Sequence, residues 1–173
     1  QQTILFAVGS HRAMTNAEVR IKVGDDLCGP LSFRCHDWHK RLVRVGFTPG
    51  GLPIDIDPLL GAYSCIVGIG SVFPHRYCGW SGGGKIVLPG VSGPESISRV
   101  HWLPYADESI RLGSCSNLAI RELRAAAEMA GVHFLIQCVC NGAGELYGIF
   151  AGEMAVAHDL AIAKAAMTLG TRT

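Results

Sequence analysis

An α/β domain, with a parallel or mixed sheet covered by helices, is what this chain predicts, and three observations lead there. Apolar runs of strand length, Thr3 to Val8 and Ser64 to Gly70, end in glycine-bearing loops. The stretch after Asn117 has helical periodicity instead. Glycine, 22 residues in 173, gathers at segment ends rather than in a low-complexity tract, as tight loops between strands and helices require. The length fits one domain.

Each element has a local reason. Thr3 to Val8 reads as a strand that runs into Gly9-Ser10-His11-Arg12, and Thr15 with Glu18 makes a capping box that starts a short helix, stopped by Gly24. Leu31 to Cys35 and Ile54 to Ile56 read as short extended pieces, and Ser64 to Gly70 as a buried strand bounded by glycines. Asn117 caps a helix whose Ile120, Leu123, Ala127 and Ala130 share one face before Gly131 ends it. Val132 to Val139 reads as a strand, and Asn141-Gly142 turns the chain toward Glu145 to Phe150, so these two strands are expected to pair as a hairpin. Ala155 to Met167 reads as a closing helix, and residues 170–173 as the start of a linker.

Charged residues make up 17% and apolar residues 49%, a balance that predicts surface covered by a neighbour. Net charge is +1 without a run of Lys or Arg, which argues against nucleic acid or an anionic membrane and leaves a small molecule as the expected partner. No stretch approaches the length of a membrane span, and no secretory signal precedes the first apolar run, so the expected compartment is the cytoplasm. The opening on Gln1 reads as that of a fragment or processed product. Seven cysteines without a Cys-x-x-Cys pair read as reduced thiols rather than as disulfides or a zinc site.

The chemistry concentrates between Phe73 and Gly90. Gly82-Gly83-Gly84-Lys85 can bring backbone amides close to a phosphate-bearing ligand, with Lys85 as a charge or nucleophile. A plain glycine turn with a solvated lysine fits the same residues. The pattern is not a P-loop, because the spaced first glycine and the Ser or Thr after the lysine are missing. Among the histidines, His11, His75 and His101 lie beside Gly or Pro loops, where imidazole serves as a proton acceptor or metal ligand. His36, His39, His133 and His158 read as structural or exposed.

Taken in order, Gly9-Ser10-His11-Arg12, Thr15, Glu18, His36-Asp37, Gly46-Phe47-Thr48, Gly70 to His75, Gly79 to Lys85, Leu88-Pro89-Gly90, His101, and Ala151 through His158 resemble the lactate racemase family. The resemblance covers most of that family's N-terminal domain, here residues 1–169, and implies a two-domain enzyme of which the C-terminal domain is absent from this sequence. It also implies a nickel-pincer nucleotide: a pyridinium mononucleotide with two sulfur groups, tethered through a lysine thioamide. Lys85 resembles the tether and His101 the nickel ligand. His11 and His75 resemble a pair of acid/base histidines on opposite faces of a 2-hydroxy acid such as lactate, between which a racemase needs to exchange protons.

Around them, Ser81, Gly82, Gly83 and Gly84 are expected to let the cofactor approach, Arg76 and Arg12 to attract a carboxylate or phosphate, and Trp80 either to cover the ring or to pack in the core. Cofactor maturation enzymes are the implied partners, and the piece alone is expected to be inactive. Leu118 stands where the family usually has proline, and Val100 where it often has asparagine beside the ligand histidine. Two other readings remain at this point: a divergent homologue binding a phosphate-bearing metabolite through the glycine loop, and a zinc hydrolase using His75 and His101.

Overall fold

A computed structural model describes residues 2–28 and 31–169, so the linker expected at 170–173 lies outside the described residues. The chain is α/β with both parallel and mixed pairing. Strand β1 (Thr3–Phe6) runs parallel to β2 (Ser32–Cys35), and helix α1 (Asn16–Val23) connects them. The Thr15–Glu18 capping box forms in both directions, and Gly24, at φ +83°, closes the helix by donating its N–H to Arg20 O. Only glycine adopts that angle cheaply.

Strands β3 (Val43–Phe47) and β4 (Pro53–Ile56) form an antiparallel hairpin. Its turn is held from outside: the buried Glu122 carboxylate accepts from Thr48 Oγ1 and from Gly50 N–H. Next come β5 (Ile66–Ser71), a small hairpin of β6 (Pro74–His75) and β7 (Gly79–Trp80), and a 3-10 turn at Gly83–Ile86. Helix α2 (Pro94–Ala106) and helix α3 (Leu118–Met129) follow, then β8 (Val132–Cys140), β9 (Leu146–Glu153) and α4 (Met154–Leu169). In the three-stranded sheet β8 is central, parallel to β5 and antiparallel to β9, as the Asn141-Gly142 turn predicts.

The expectation of a buried strand at Ser64 to Gly70 is corrected. In β5 only Gly68 is buried, while Val67 and Ile69 are 44% and 62% exposed. The sheet has helices on one face only. Its other face carries Val67, Ile69, Phe134 and Ile149 uncovered among the described residues, which fits the low charge content.

The core lies in two adjoining clusters. The first joins β4, Val87 to Val91, α3 and the start of β8. The second packs Val72, Trp80, Ile120 and Val139 against Ala161, Ile162 and Ala165 of α4. Gly83 and Gly84 let the 3-10 turn approach the His158 ring of α4 and the Leu123 backbone of α3 closely, and this packing places Lys85.

Candidate active site

The hairpin β6–β7 and the turn after it form one braced segment. Ser81 Oγ donates to Ser71 O and accepts from Phe73 N–H, each at 2.9 Å. Trp80 is fully buried and its indole N–H donates to Gly113 O at 2.9 Å. Trp80 therefore fills the core and does not cover a ligand, and the Ser81 hydroxyl is spent inside the protein.

The three glycines are also explained by the protein itself. Gly82 and Gly83 take φ of +76° and +54° in succession. A Cβ on Gly82 would lie 2.7 Å from Val72 Cγ2, one on Gly83 would overlap the His158 ring, and one on Gly84 would strike Leu123 O in α3. Their Cβ directions face the core, so packing by itself requires glycine at these positions. Of the amides in this turn, Gly83 N–H goes to Gln137 Oε1 at 2.7 Å and Lys85 N–H to Gly82 O.

On the other side of the turn, the structure brings Lys85, His75 and His101 within electrostatic reach of one another, around Cys78 and Tyr77. The Lys85 amine lies close to the Cys78 thiol, and burial lowers its pKa from the ordinary lysine value. Burial pushes the Cys78 thiol up to about 11. Nδ1 of His75 accepts from Tyr77 N–H at 3.2 Å, with Cys78 Sγ also 3.2 Å away. Burial, then the nearby Lys85, His101 and Arg76 charges, lower His75 to about 4. His101, on the middle of α2, is lowered by burial and then by Lys85. The Tyr77 ring lies between the two imidazoles, its centroid 6.0 Å from His75 and 5.7 Å from His101. The result is a basic cluster whose members are held toward their neutral forms, as an amine nucleophile and an imidazole ligand require.

Arg76 stacks over Tyr77, its guanidinium carbon 4.9 Å from the ring centroid, and remains exposed. Arg12, by contrast, is taken by both Glu18 oxygens, at 2.8 and 2.6 Å, so its charge is neutralised locally. His11 stands on the loop after β1, which Gly9 N–H ties to Gly90 O at 2.8 Å. It lines an open hollow of about 440 Å³ with Ala7, Val8, Arg12, Met14 and Glu18. Among the described residues it makes no hydrogen bond or ring contact with Lys85, His75 or His101. His36 bonds Asp57 and Ser92 O, each at 3.0 Å, rather than its neighbour Asp37.

Cys78, Tyr77 and Gln137 belong to the site or its support and escaped the sequence reading, while His158, read as structural or exposed, is buried. Gln137 carried a signal: it is the one amide side chain inside the apolar run Phe134 to Val139, and a buried polar group has a partner. Among the described residues no group of three or more His, Cys, Asp or Glu could hold a metal ion.

Comparison with known proteins gives a consistent result. Residues 1–113 match the lactate racemase N-terminal domain. The chain is 32% identical over 163 residues to a lactate racemase of Thermoanaerobacterium thermosaccharolyticum, covering 90% of this chain and 37% of that protein. It is 29% identical to a lactate racemase of Lactiplantibacillus plantarum, covering 91% of this chain and 38% of that protein. The lactate racemase apoprotein structure from T. thermosaccharolyticum superimposes with a TM-score of 0.87 at 29% identity, over 93% of this chain and 40% of that one. A Thermotoga maritima protein of solved structure superimposes with a TM-score of 0.84 at 25% identity, over 95% of this chain and 46% of that one. The chain thus spans well under half the length of these relatives, and through its first 113 residues it belongs to the lactate racemase N-terminal domain family.

Proposed function

We propose that this chain is the cofactor-bearing part of a 2-hydroxy-acid racemase or epimerase, an isomerase acting on lactate or a close analogue. The observation that carries the reading is the gathering of Lys85, His75 and His101 in one half-buried cluster. The donor set fits a nickel-pincer nucleotide. A lysine held toward its neutral amine is a competent acyl acceptor, so Lys85 would form the thioamide tether, and His101 offers a neutral imidazole to nickel. With no third protein ligand converging among the described residues, a metal here would take its remaining donors from the bound group. When bound, that group supplies reversible hydride acceptance at the substrate carbon.

The chain's own residues handle the proton and the carboxylate. Tyr77 N–H occupies Nδ1 of His75, so the neutral ring carries its proton on Nε2 and presents a donor to an oxygen in the cleft. His11 would serve the opposite face of the substrate, and the exposed Arg76, braced on Tyr77, would draw the carboxylate. A second domain would complete the cleft and exclude water, and maturation enzymes in the cytoplasm would deliver the cofactor. Support for a covering neighbour comes from the exposed apolar sheet face. No helix among the described residues is long and apolar enough to cross a membrane.

Intact-mass spectrometry with elemental analysis tests the reading, on protein carrying this sequence made in a host that produces the nickel-pincer nucleotide. An adduct mapped to Lys85 with about one nickel per chain is expected, since each chain has a single such lysine. An unmodified, metal-free Lys85 would overturn it.

A further inference from the structure

We propose that Gln137 and His158, on β8 and α4, are positioning residues that pin the glycine turn and so present Lys85 to the cleft. The inference rests on reading Lys85 as the reactive lysine. Its geometric basis lies outside the cleft, in two buried side chains with no other evident task. It also lies outside residues 1–113, where the family match ends.

Gln137 is 1% exposed, and its Oε1 accepts from Gly83 N–H at 2.7 Å while its Nε2 donates to Ile136 O at 3.1 Å. Both ends of the amide are thereby oriented: a backbone N–H can meet only the oxygen, and a backbone carbonyl only the nitrogen. His158 is 3% exposed, with Nε2 3.0 Å from Ser81 O. A carbonyl only accepts, so Nε2 carries the proton and Nδ1 is left as a buried acceptor with no partner among the described residues. Burial favours this neutral form. An apolar side chain would avoid the orphaned nitrogen, so the imidazole must be retained for what Nε2 does.

What Nε2 does is hold the turn. Glycines have no side chains with which to brace a conformation, and they lose the most freedom on ordering. The two anchors fall on Ser81 and Gly83, on either side of Gly82, where the backbone makes its positive-φ reversal. Lys85 N–H then closes onto Gly82 O at 3.1 Å, and the Leu123 carbonyl backs Gly84. Lys85 is thus delivered from a frame fixed at two points, with its amine near Cys78. Small displacements of a reacting group cost rate steeply, which is what such a frame prevents.

The closeness of Lys85 to Cys78 supplies a ruler. Ortho-phthalaldehyde joins a neighbouring amine and thiol as an isoindole, with loss of two waters, and peptide mapping identifies the bridge. The 173-residue chain is expected to form a Lys85–Cys78 bridge. His158→Asn, too short to reach Ser81 O, should form it roughly tenfold more slowly, while His158→Gln, whose amide nitrogen can replace Nε2, should stay within about twofold of the unsubstituted chain. Bridging by His158→Asn at the unsubstituted rate, or by His158→Gln as slowly as by His158→Asn, would overturn the proposal, and so would the lack of any bridge in the unsubstituted chain. If His158→Asn does not fold, the Lys85 amide in Gln137→Met decides: exchange with solvent roughly tenfold faster supports the proposal, and an unchanged rate overturns it. None of these readouts uses nickel or cofactor, so an unmodified Lys85 in the cofactor-producing host would sink the tether reading and leave the bridging rates standing.

Discussion

Lys85 is a residue whose place makes little sense for stability. Its amine is partly desolvated beside a thiol that is itself held protonated, so the fold bears a cost and gains no ion pair. Lys85→Met should therefore leave the thermal midpoint unchanged or slightly raised, while abolishing any covalent adduct in the cofactor-producing host. Calorimetry and intact mass together check this, and a midpoint lowered by several degrees would make the lysine structural. Trp80 is the opposite case: fully buried with its N–H satisfied, it should cost about 3–5 kcal/mol as Trp80→Ala in denaturant unfolding. The difference between these two residues was only partly legible. The order of motifs singled out Lys85, His75 and His101, but Trp80 and the three glycines stand in the same stretch, and spacing alone does not tell which way a side chain points. The core-facing direction comes from β8, α3 and α4, about 40 to 75 residues later in the chain.

Among the elements, those with self-contained signals were legible and those held by distant partners were not. The α1 capping box, the Asn117 cap, the Gly131 stop and the Asn141-Gly142 turn each lie within a few residues of what they organise. Helix α2 has a weaker signal, Pro94 and Glu95 in its first turn: its cap, Gly93, makes no side-chain hydrogen bond, and Pro104 sits inside it. The hairpin β6–β7 has two residues per strand and is held by the Ser81 bonds and by Asn117. Asn117 ties elements together most widely. Its Oδ1 caps α3 by accepting from Ile120 N–H at 2.9 Å, and its Nδ2 donates to Cys78 O and to Ser114. Asn117→Ala should thus cost about 1 kcal/mol for the cap, plus about 1–3 kcal/mol for the Cys78 carbonyl left unpaired in the core. Asn117→Asp, which keeps the cap and loses the donor, separates the two contributions in urea titrations.

At the scale of the whole molecule, the signature is a set of imidazoles kept neutral by burial. His75, lowered to about 4 from an ordinary 6.5, His101 and His158 all bind a proton more weakly in the fold than in the unfolded chain. Between the unfolded and folded values the unfolded chain therefore takes up more protons, and stability must fall as pH falls. The contribution is fully present above about 6.5 and is lost progressively toward about 4, where the His75 value lies. The carboxylate Glu18 is lowered as well, chiefly by Arg12, but from 4.5 to about 2, so its contribution is lost over a more acidic window. Histidine thus governs the first loss on acidification. The thermal midpoint should be highest near neutrality and fall through the window from about 6.5 to about 4, with Glu18 adding to the loss only below about 4.5. His158→Gln tests the origin of the slope, because it keeps a donor for Ser81 O and removes the titrating ring. Its midpoint should fall less steeply with acid than that of the unsubstituted chain, with the two curves converging toward the acidic end of the window. A His158→Gln curve parallel to the unsubstituted one would show that the buried ring in α4 accepts its proton without penalty, and would transfer the whole acid response to the cleft.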